Sequence, residues 1–182
     1  MSSASSAAAI RDEEGIAMTA LGTATGTRQV YYHDASAPPA TVVTPSVFVA
    51  ARRPDGRLLL VRRCDSGAWE LPGGRVDVGE TAVQAAVREA AEEAGMQVRV
   101  TGLVGVFSDP GHVIRSRDGE VRQQFALVFR ARAVGGDPHA DLQETSAAAW
   151  VAVADLPHLR AEPPVRLWIA AALALENGPR IA

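Results

Sequence analysis

From Gly74 to Met96 the chain reads GRVDVGETAVQAAVREAAEEAGM, and no other stretch constrains the fold as strongly. A helix drawn from about Glu80 to Ala94 at ~100° per residue places Arg88, Glu89, Glu92 and Glu93 within an arc of roughly 140°. Val83, Ala86, Val87, Ala90, Ala91 and Ala94 fall on the other side, which is therefore expected to be the buried face. Like charges at i, i+3 and i+4 cost a few tenths of a kcal/mol per pair in an isolated helix. A sequence that keeps three carboxylates together is expected to put a cation among them. Carboxylates are hard oxygen ligands, so the expected ion is Mg²⁺ or Mn²⁺.

The flanks support a site. Gly73 and Gly74 precede the helix, and glycines let a backbone carbonyl approach an ion without a side chain in the way. Arg88 can hold a glutamate by a charge-assisted hydrogen bond. Gly95 follows the last periodic residue, where a left-handed helix stop is expected.

Around this segment the chain reads as strands and turns. Val47 to Ala51, the Pro54-Asp55-Gly56 turn and Arg57 to Arg63 form a hairpin signal. Val98 to Phe107 reads as a strand. After the Asp118-Gly119 turn, Phe125, Leu127, Phe129 and Ala131 alternate with their neighbours as a half-buried strand. A loop from Gly135 to Ser146 leads to a short strand, Ala149 to Ala152, then to a helical turn at Asp155-Leu156-Pro157. Pro163-Pro164 opens a final helix through Leu175. The pattern predicts a mixed sheet with helices packed on its faces.

At 182 residues one domain is expected, residues 29 to 178, behind a disordered leader of residues 1 to 28 rich in Ser, Ala, Gly and Thr. Met18 could be the natural start. Residues 29 to 44 contain a candidate short strand at Val30, Tyr31 and Tyr32. A net charge of −3 argues against a nucleic-acid surface. No apolar run approaches the ~18 residues of a membrane span. The single cysteine, Cys64, excludes an internal disulfide and fits a reducing compartment, so a cytoplasmic protein is expected. Every cationic residue is arginine, which is attributed to compositional bias.

Gly74, Glu80, Arg88, Glu89, Ala90, Glu92, Glu93, Gly95 and Met96 together match the pattern G-x5-E-x7-R-E-U-x-E-E-x-G-U, with U aliphatic. On these residues the chain resembles the Nudix hydrolase family. The seven strict positions would arise by chance in such a chain with a probability on the order of one in a million. Trp69, Leu71, Pro72, Gly73 and Gly74 look like the W-x-L-P-G-G lead-in common in that family. Glu144 to Val151, followed by Asp155-Leu156, resembles its last strand and short helix.

The resemblance implies an α/β/α sandwich and Mg²⁺-dependent (or Mn²⁺-dependent) hydrolysis of a nucleoside diphosphate linked to another moiety, by attack of a metal-activated water. Carried over by position, it makes Glu92 and Glu93 metal ligands and Glu89 a ligand or a base. The Gly73 carbonyl is implied as a further ligand, with Glu80 and Arg88 orienting loop and helix. Family members also use a carboxylate before the last strand as base or ligand; Glu144 is the best-placed candidate here, ahead of Asp141. The resemblance is compatible with a homodimer, with residues 29 to 44 a candidate contact.

Other residues carry weaker expectations. Arg62 and Arg63 end a strand pointing at the glycine turn, so a phosphate contact is weighed against a solvated pair. His112 is weighed equally as a substrate contact and as a loop residue without a role. Trp69 and Trp150 are expected to pack. Cys64 has no sequence-placed histidine to activate it as a nucleophile. The substrate-deciding contacts lie outside the motif. Pro110 lies near the place where ADP-ribose pyrophosphatases often carry a proline, so ADP-ribose or another nucleotide sugar leads. An (oxidised) nucleoside triphosphate follows, and a non-catalytic nucleotide sensor is the alternative outside catalysis.

Overall fold

The computed structural model describes residues 27–174 and 178–182. Nearly all of the expected leader, residues 1 to 28, and the expected helix end at Leu175 lie outside the described residues. In chain order the elements are β1 (Gln29–Tyr32), β2 (Val42–Arg52), β3 (Leu58–Arg63), β4 (Trp69–Glu70) and β5 (Gly73–Arg75). Then come α1 (Ala82–Ala94), β6 (Gln97–Phe107), β7 (His112–Arg115), β8 (Val121–Gly135) and β9 (Thr145–Val151). A short 3₁₀ helix (Val153–His158), α2 (Pro163–Leu173) and β10 (Arg180–Ile181) complete the order.

The sheet is mixed, as the sequence pattern predicts. Its spine is β2 running parallel to β8, from Val42 opposite Arg122 to Arg52 opposite Arg132. β6 and β7 lie antiparallel to β8, and β1 pairs with β7 of the same chain. The expected β2–β3 hairpin has its turn, but the ladder consists of a single pair, Arg52 with Leu58. Beyond that pair the edge of β2 is taken by β5, with Phe48 opposite Gly73. β3 therefore swings away to pair with β9 and β4. The site is built around this split.

Period-two alternation assigns each strand residue to one of two cores. Val47, Val49, Ala51, Leu59, Val61, Phe129 and Ala131 pack beneath α1 with Ala85, Ala86, Ala90 and Ala94. Phe48, Ala50, Leu58, Leu60, Ala126 and Val128 pack beneath α2 with Val165, Trp168 and Ile169. The architecture is thus an α/β/α sandwich. Trp168 lies 4.3 Å from Phe48 and 6.2 Å from Phe107 between ring centroids; truncating such a residue costs about 3–5 kcal/mol. β8 differs from the half-buried strand expected: Gln124, Ala126 and Val128 are fully buried while Phe125 and Leu127 are only partly so, because Ala126 and Val128 belong to the core beneath α2.

α1 begins two residues later than expected. Thr81 is the N-cap, and its hydroxyl and the Gln84 side chain form a reciprocal capping box. Gly95 closes the helix at φ 65°, its N–H donating to the Ala91 carbonyl and the Met96 N–H to the Ala90 carbonyl. The buried face also differs from the alanine-rich side expected. Ala85, Ala86, Glu89, Ala90, Glu93 and Ala94 are buried, whereas Val83 and Val87 are exposed. α1 lies over the sheet beside the split in β2, so its inner stripe ends among polar groups and takes two of the three carboxylates with it.

Candidate active site

The split between β3 and β5 opens a cleft of about 490 Å³. β5 and α1 form one wall, contributing Gly73, Gly74, Arg75, Arg88, Glu89 and Glu92. Arg63, Asp65, Glu70 and Glu144 approach from the β3–β4–β9 side. Ser46, Phe48, Arg122 and Gln124 line it from β2 and β8.

The two glycines are required by close approach. A Cβ on Gly73 would stand 2.1 Å from the Val47 carbonyl oxygen, and one on Gly74 would stand 2.3 Å from Glu89 Oε1. Bare backbone lets β5 lie between β2 and α1. In return the Gly73 N–H donates to Glu93 Oε2 at 2.8 Å.

Two arginines organise the carboxylates. Arg88 forks onto Glu80, donating from Nη2 to Oε1 at 2.7 Å and from Nε to Oε2 at 3.2 Å. Its Nη2 also donates to the Arg75 carbonyl, and its Nη1 donates to Glu89 and Glu92 at 2.9 and 3.0 Å. Glu80 in turn accepts from the Asp77 N–H, so the loop before α1 is fastened to the helix through one guanidinium. The Arg88 hydrogen bonds hold the Glu80 carboxyl below its usual range.

Arg63 is the second organiser, and it is buried. It bonds Asp65 through Nε and Nη2 and Glu70 through Nη1, all at 3.1 Å, and approaches Glu93 at 4.0 Å and Glu144 at 3.8 Å. Burial pushes the Asp65 carboxyl up, but the Arg63 hydrogen bonds and charge outweigh it and hold it low.

Burial dominates the remaining carboxylates. Glu93, 3% exposed, is pushed up to about 9, first by burial and then by the charge of Glu70. Glu89 is also raised by burial despite its bond to Arg88. Such a cluster gains from a cation, and its donors are all hard oxygens, so the residues fit Mg²⁺ or Mn²⁺ in chemistry. They do not form a ready-made cage. Among the described residues no three carboxylate, histidine or cysteine side chains converge on one point. Arg88 holds Glu89 and Glu92, and Arg63 lies among Glu70, Glu93 and Glu144. An ion would have to replace part of the Arg88 contacts.

Glu144 sits at the cleft rim with its side chain 65% exposed. Asp141 has a different placement: its Oδ1 accepts from the N–H groups of Gln143, Glu144 and Thr145 and from the Thr145 hydroxyl. It does not line the cleft. Leu142, at φ 61°, holds a conformation that bulky residues rarely adopt. The loop is pinned further by Cys64 N–H to the Glu144 carbonyl and by the Thr145 hydroxyl to the Glu93 carbonyl. Asp141 therefore shapes the loop that presents Glu144.

Two named candidates lie away from the cleft. Arg62 is exposed and donates to the Gly67 carbonyl. His112 is buried against Tyr32 and Trp168, at 6.0 and 5.8 Å between centroids, beside a separate cavity of about 60 Å³. Burial pushes its imidazole down to about 4. Trp69 and Trp150 pack against the two cores as expected, with Arg53 over the Trp150 ring at 5.3 Å.

Several cleft residues escaped the sequence reading: Glu70, Asp65, Arg75, Arg122, Gln124 and Ser46. For Arg122 and Gln124 a signal existed, since both share the alternate face of β8 with Ala126 and Val128. A polar pair continuing a buried apolar row marks a cleft floor.

A sequence model of the NUDIX domain matches residues 42–172, spanning every wall of this cleft. The chain belongs to the Nudix family. Similar proteins include a putative 8-oxo-dGTP diphosphatase of Bacillus subtilis, 37% identical over 63% of this chain and 70% of that protein. An ADP-ribose pyrophosphatase of Methanocaldococcus jannaschii is 37% identical over 46% of this chain and 47% of its own length. Among solved structures, a MutT Nudix hydrolase from Burkholderia pseudomallei superposes with a TM-score of 0.58 at 30% identity, over 70% of this chain and 96% of that one. In this Nudix domain the family motif forms the α1–β5 wall, and the opposing wall comes from sequence beyond it. No helix among the described residues is long and apolar enough to cross a membrane.

Proposed function

We propose that this Nudix protein hydrolyses the diphosphate linkage of a nucleoside diphosphate derivative, with ADP-ribose or a nucleotide sugar as the leading substrate. The observation that carries this reading is the cleft itself, in which the carboxylates of Glu70, Glu89 and Glu92 share one space with arginines, and Glu93 is hydrogen-bonded to the Gly73 N–H of its wall. Arg28, Arg75, Arg117 and Arg122 all line it. Carboxylates alone would repel a diphosphate, and arginines alone would bind it without activating water.

Glu89, Glu92, Glu93 and the Gly73 carbonyl would hold the divalent ion. When bound, such an ion neutralises phosphate oxygens and lowers the pKa of a coordinated water. Arg88 keeps α1 registered on the glycine strand through Glu80 and the Arg75 carbonyl. Arg75 reaches phosphate oxygens with its guanidinium, and Arg122 offers its unpartnered Nε–H. Glu144, exposed at the rim and carried on a rigid loop, accepts the proton of the attacking water, a role for which Glu89 is the alternative.

Hydrolysis of an (oxidised) nucleoside triphosphate is the second reading, favoured by the resemblance to the Bacillus subtilis protein. The deciding experiment measures phosphate release from ADP-ribose, sugar nucleotides and nucleoside triphosphates, with Mg²⁺ or Mn²⁺, for wild type and Glu93→Gln. Turnover of a diphosphate derivative that Glu93→Gln abolishes supports the proposal. If no substrate turns over while both proteins bind nucleotide equally, the chain is a sensor.

A further inference from the structure

Gln124 is 1% exposed, and its Oε1 has no hydrogen-bond partner among the described residues. It also lines the cleft. A buried amide oxygen left unpaired opposes folding, so such groups are rare unless something else fills them. Two residues away on the same face of β8, Arg122 Nε is likewise buried and unpartnered, while its Nη1 donates to the Ser116 hydroxyl. The cleft floor therefore presents one free acceptor and one free donor on neighbouring side chains. Neither is used by the carboxylate cluster or by the two organising arginines.

We propose that Gln124 reads the nucleobase, pairing its carboxamide with the N6–H and N7 edge of adenine. The inference rests on the nucleotide-hydrolase reading above and names its base. A carboxamide carries an acceptor and a donor side by side, the complement of that adenine edge. Guanine shows two acceptors, O6 and N7, on the same edge and would leave Gln124 Oε1 unpaired. Its opposite edge offers N1–H and O6, but the adjacent amino group then needs a further acceptor. With one guanidinium nitrogen committed to Ser116, the Arg122 fork is not free to grip guanine; its remaining Nε–H suits a ribose or phosphate oxygen. The position suits a base as well. Gln124 lies on β8, beyond β2 from the glycine strand, so a base there leaves the diphosphate to extend toward Arg75 and the carboxylates.

The test is equilibrium binding of AMP and GMP by titration calorimetry with Mg²⁺ present. AMP has no diphosphate linkage, so this readout is independent of hydrolysis. Wild type is expected to bind AMP roughly tenfold more tightly than GMP, within the range of a good bidentate pair. Gln124→Met should weaken AMP binding by about tenfold and erase the preference. Its melting temperature should hold or rise, because an unpaired buried group has been removed. Gln124→Glu, which keeps the acceptor and loses the donor, should fall between the two. The proposal is overturned if wild type prefers GMP or binds neither nucleotide, if Gln124→Met keeps the AMP preference, or if that variant melts well below wild type. Absent turnover of diphosphates alongside an intact, Gln124-dependent AMP preference would count against the hydrolase reading alone.

Discussion

The Gly73 N–H donates to Glu93 Oε2 at 2.8 Å, joining the glycine strand to the last turn of α1 across twenty residues. This bond fixes where the buried Glu93 carboxylate points. Neither partner could do so with a side chain on Gly73, whose Cβ would enter the Val47 carbonyl.

The two glycines should therefore fail differently. Gly73→Ala meets backbone and is expected to cost about 3 kcal/mol or more in denaturant unfolding, at the upper end of overpacking penalties. For Gly74→Ala the nearest atoms all belong to the Glu89 carboxylate, the movable end of a side chain, so its stability cost should be nearer 1 kcal/mol. It displaces that carboxylate, however, and turnover should drop on the order of a hundredfold. Equal stability losses for the two variants would contradict this geometry.

Glu93 sets a pH dependence in the ion-free protein. Its carboxyl, near 4.5 when unfolded, is pushed up to about 9 by burial in the folded state. Between those values the folded state holds a proton that the unfolded state has lost, so stability is full below 4.5 and falls as pH rises toward 9. The slope is at most about 1.4 kcal/mol per pH unit. Thermal melts without divalent ions, run from pH 5 to 9, should show the decline, and Glu93→Gln should flatten it. Because an ion must displace the same proton, Mg²⁺ affinity should rise over this range.

Arg88→Lys retains the charge but loses the fork that spans Glu80, Glu89, Glu92 and the Arg75 carbonyl. A loss of about 1–2 kcal/mol in stability and at least tenfold in turnover is expected. If the lysine variant matched wild type in both, the positioning role of Arg88 would be wrong.

Glu144 and Asp141 separate a chemical role from a scaffolding one. Glu144→Gln should leave the melting temperature within a degree or two and lower kcat by roughly 10²-fold or more. Asp141→Asn weakens four hydrogen bonds in the loop and should lower the melting temperature by several degrees, at about 1 kcal/mol. Unchanged kcat in Glu144→Gln would move the base to Glu89.

His112 governs the acid side. Its imidazole, near 6.5 when unfolded, is pushed down to about 4 by burial against Tyr32 and Trp168. The folded state binds fewer protons between these values, so this contribution is present above 6.5 and lost as pH falls through 4, on the order of 3 kcal/mol in full. His112→Phe, which keeps the ring stacking, should resist acid unfolding better than wild type.

Much of this protein is legible in order along the chain. The motif from Gly74 to Met96, the strand periods and the Pro163-Pro164 helix start are local features, because helix and strand periodicity and caps are written in neighbouring residues. Where the reading departed from the structure, the cause was long-range. Val83 and Val87 were assigned to the buried face from their apolarity, yet the position of α1 beside the β2 split buries Glu89 and Glu93 instead. The hairpin turn at Pro54-Asp55-Gly56 is local and present; the loss of its ladder is decided by β5, which competes for the same edge of β2. Ala126 and Val128, the alternates of the apolar row in β8, are buried because a second helix covers their face, which alternation alone does not reveal.

The sequence by itself determined the family, the mixed sheet and the carboxylate–arginine–glycine composition of one cleft wall, since these follow from motif and period. Only the tertiary structure decided which charges are buried, that Arg63 on β3 and Glu70 on β4 face that wall, and that Gln124 Oε1 and Arg122 Nε lie without partners beside it. The reason is that desolvation and hydrogen-bond satisfaction depend on what packs from distant segments, and spacing along one segment carries no record of that.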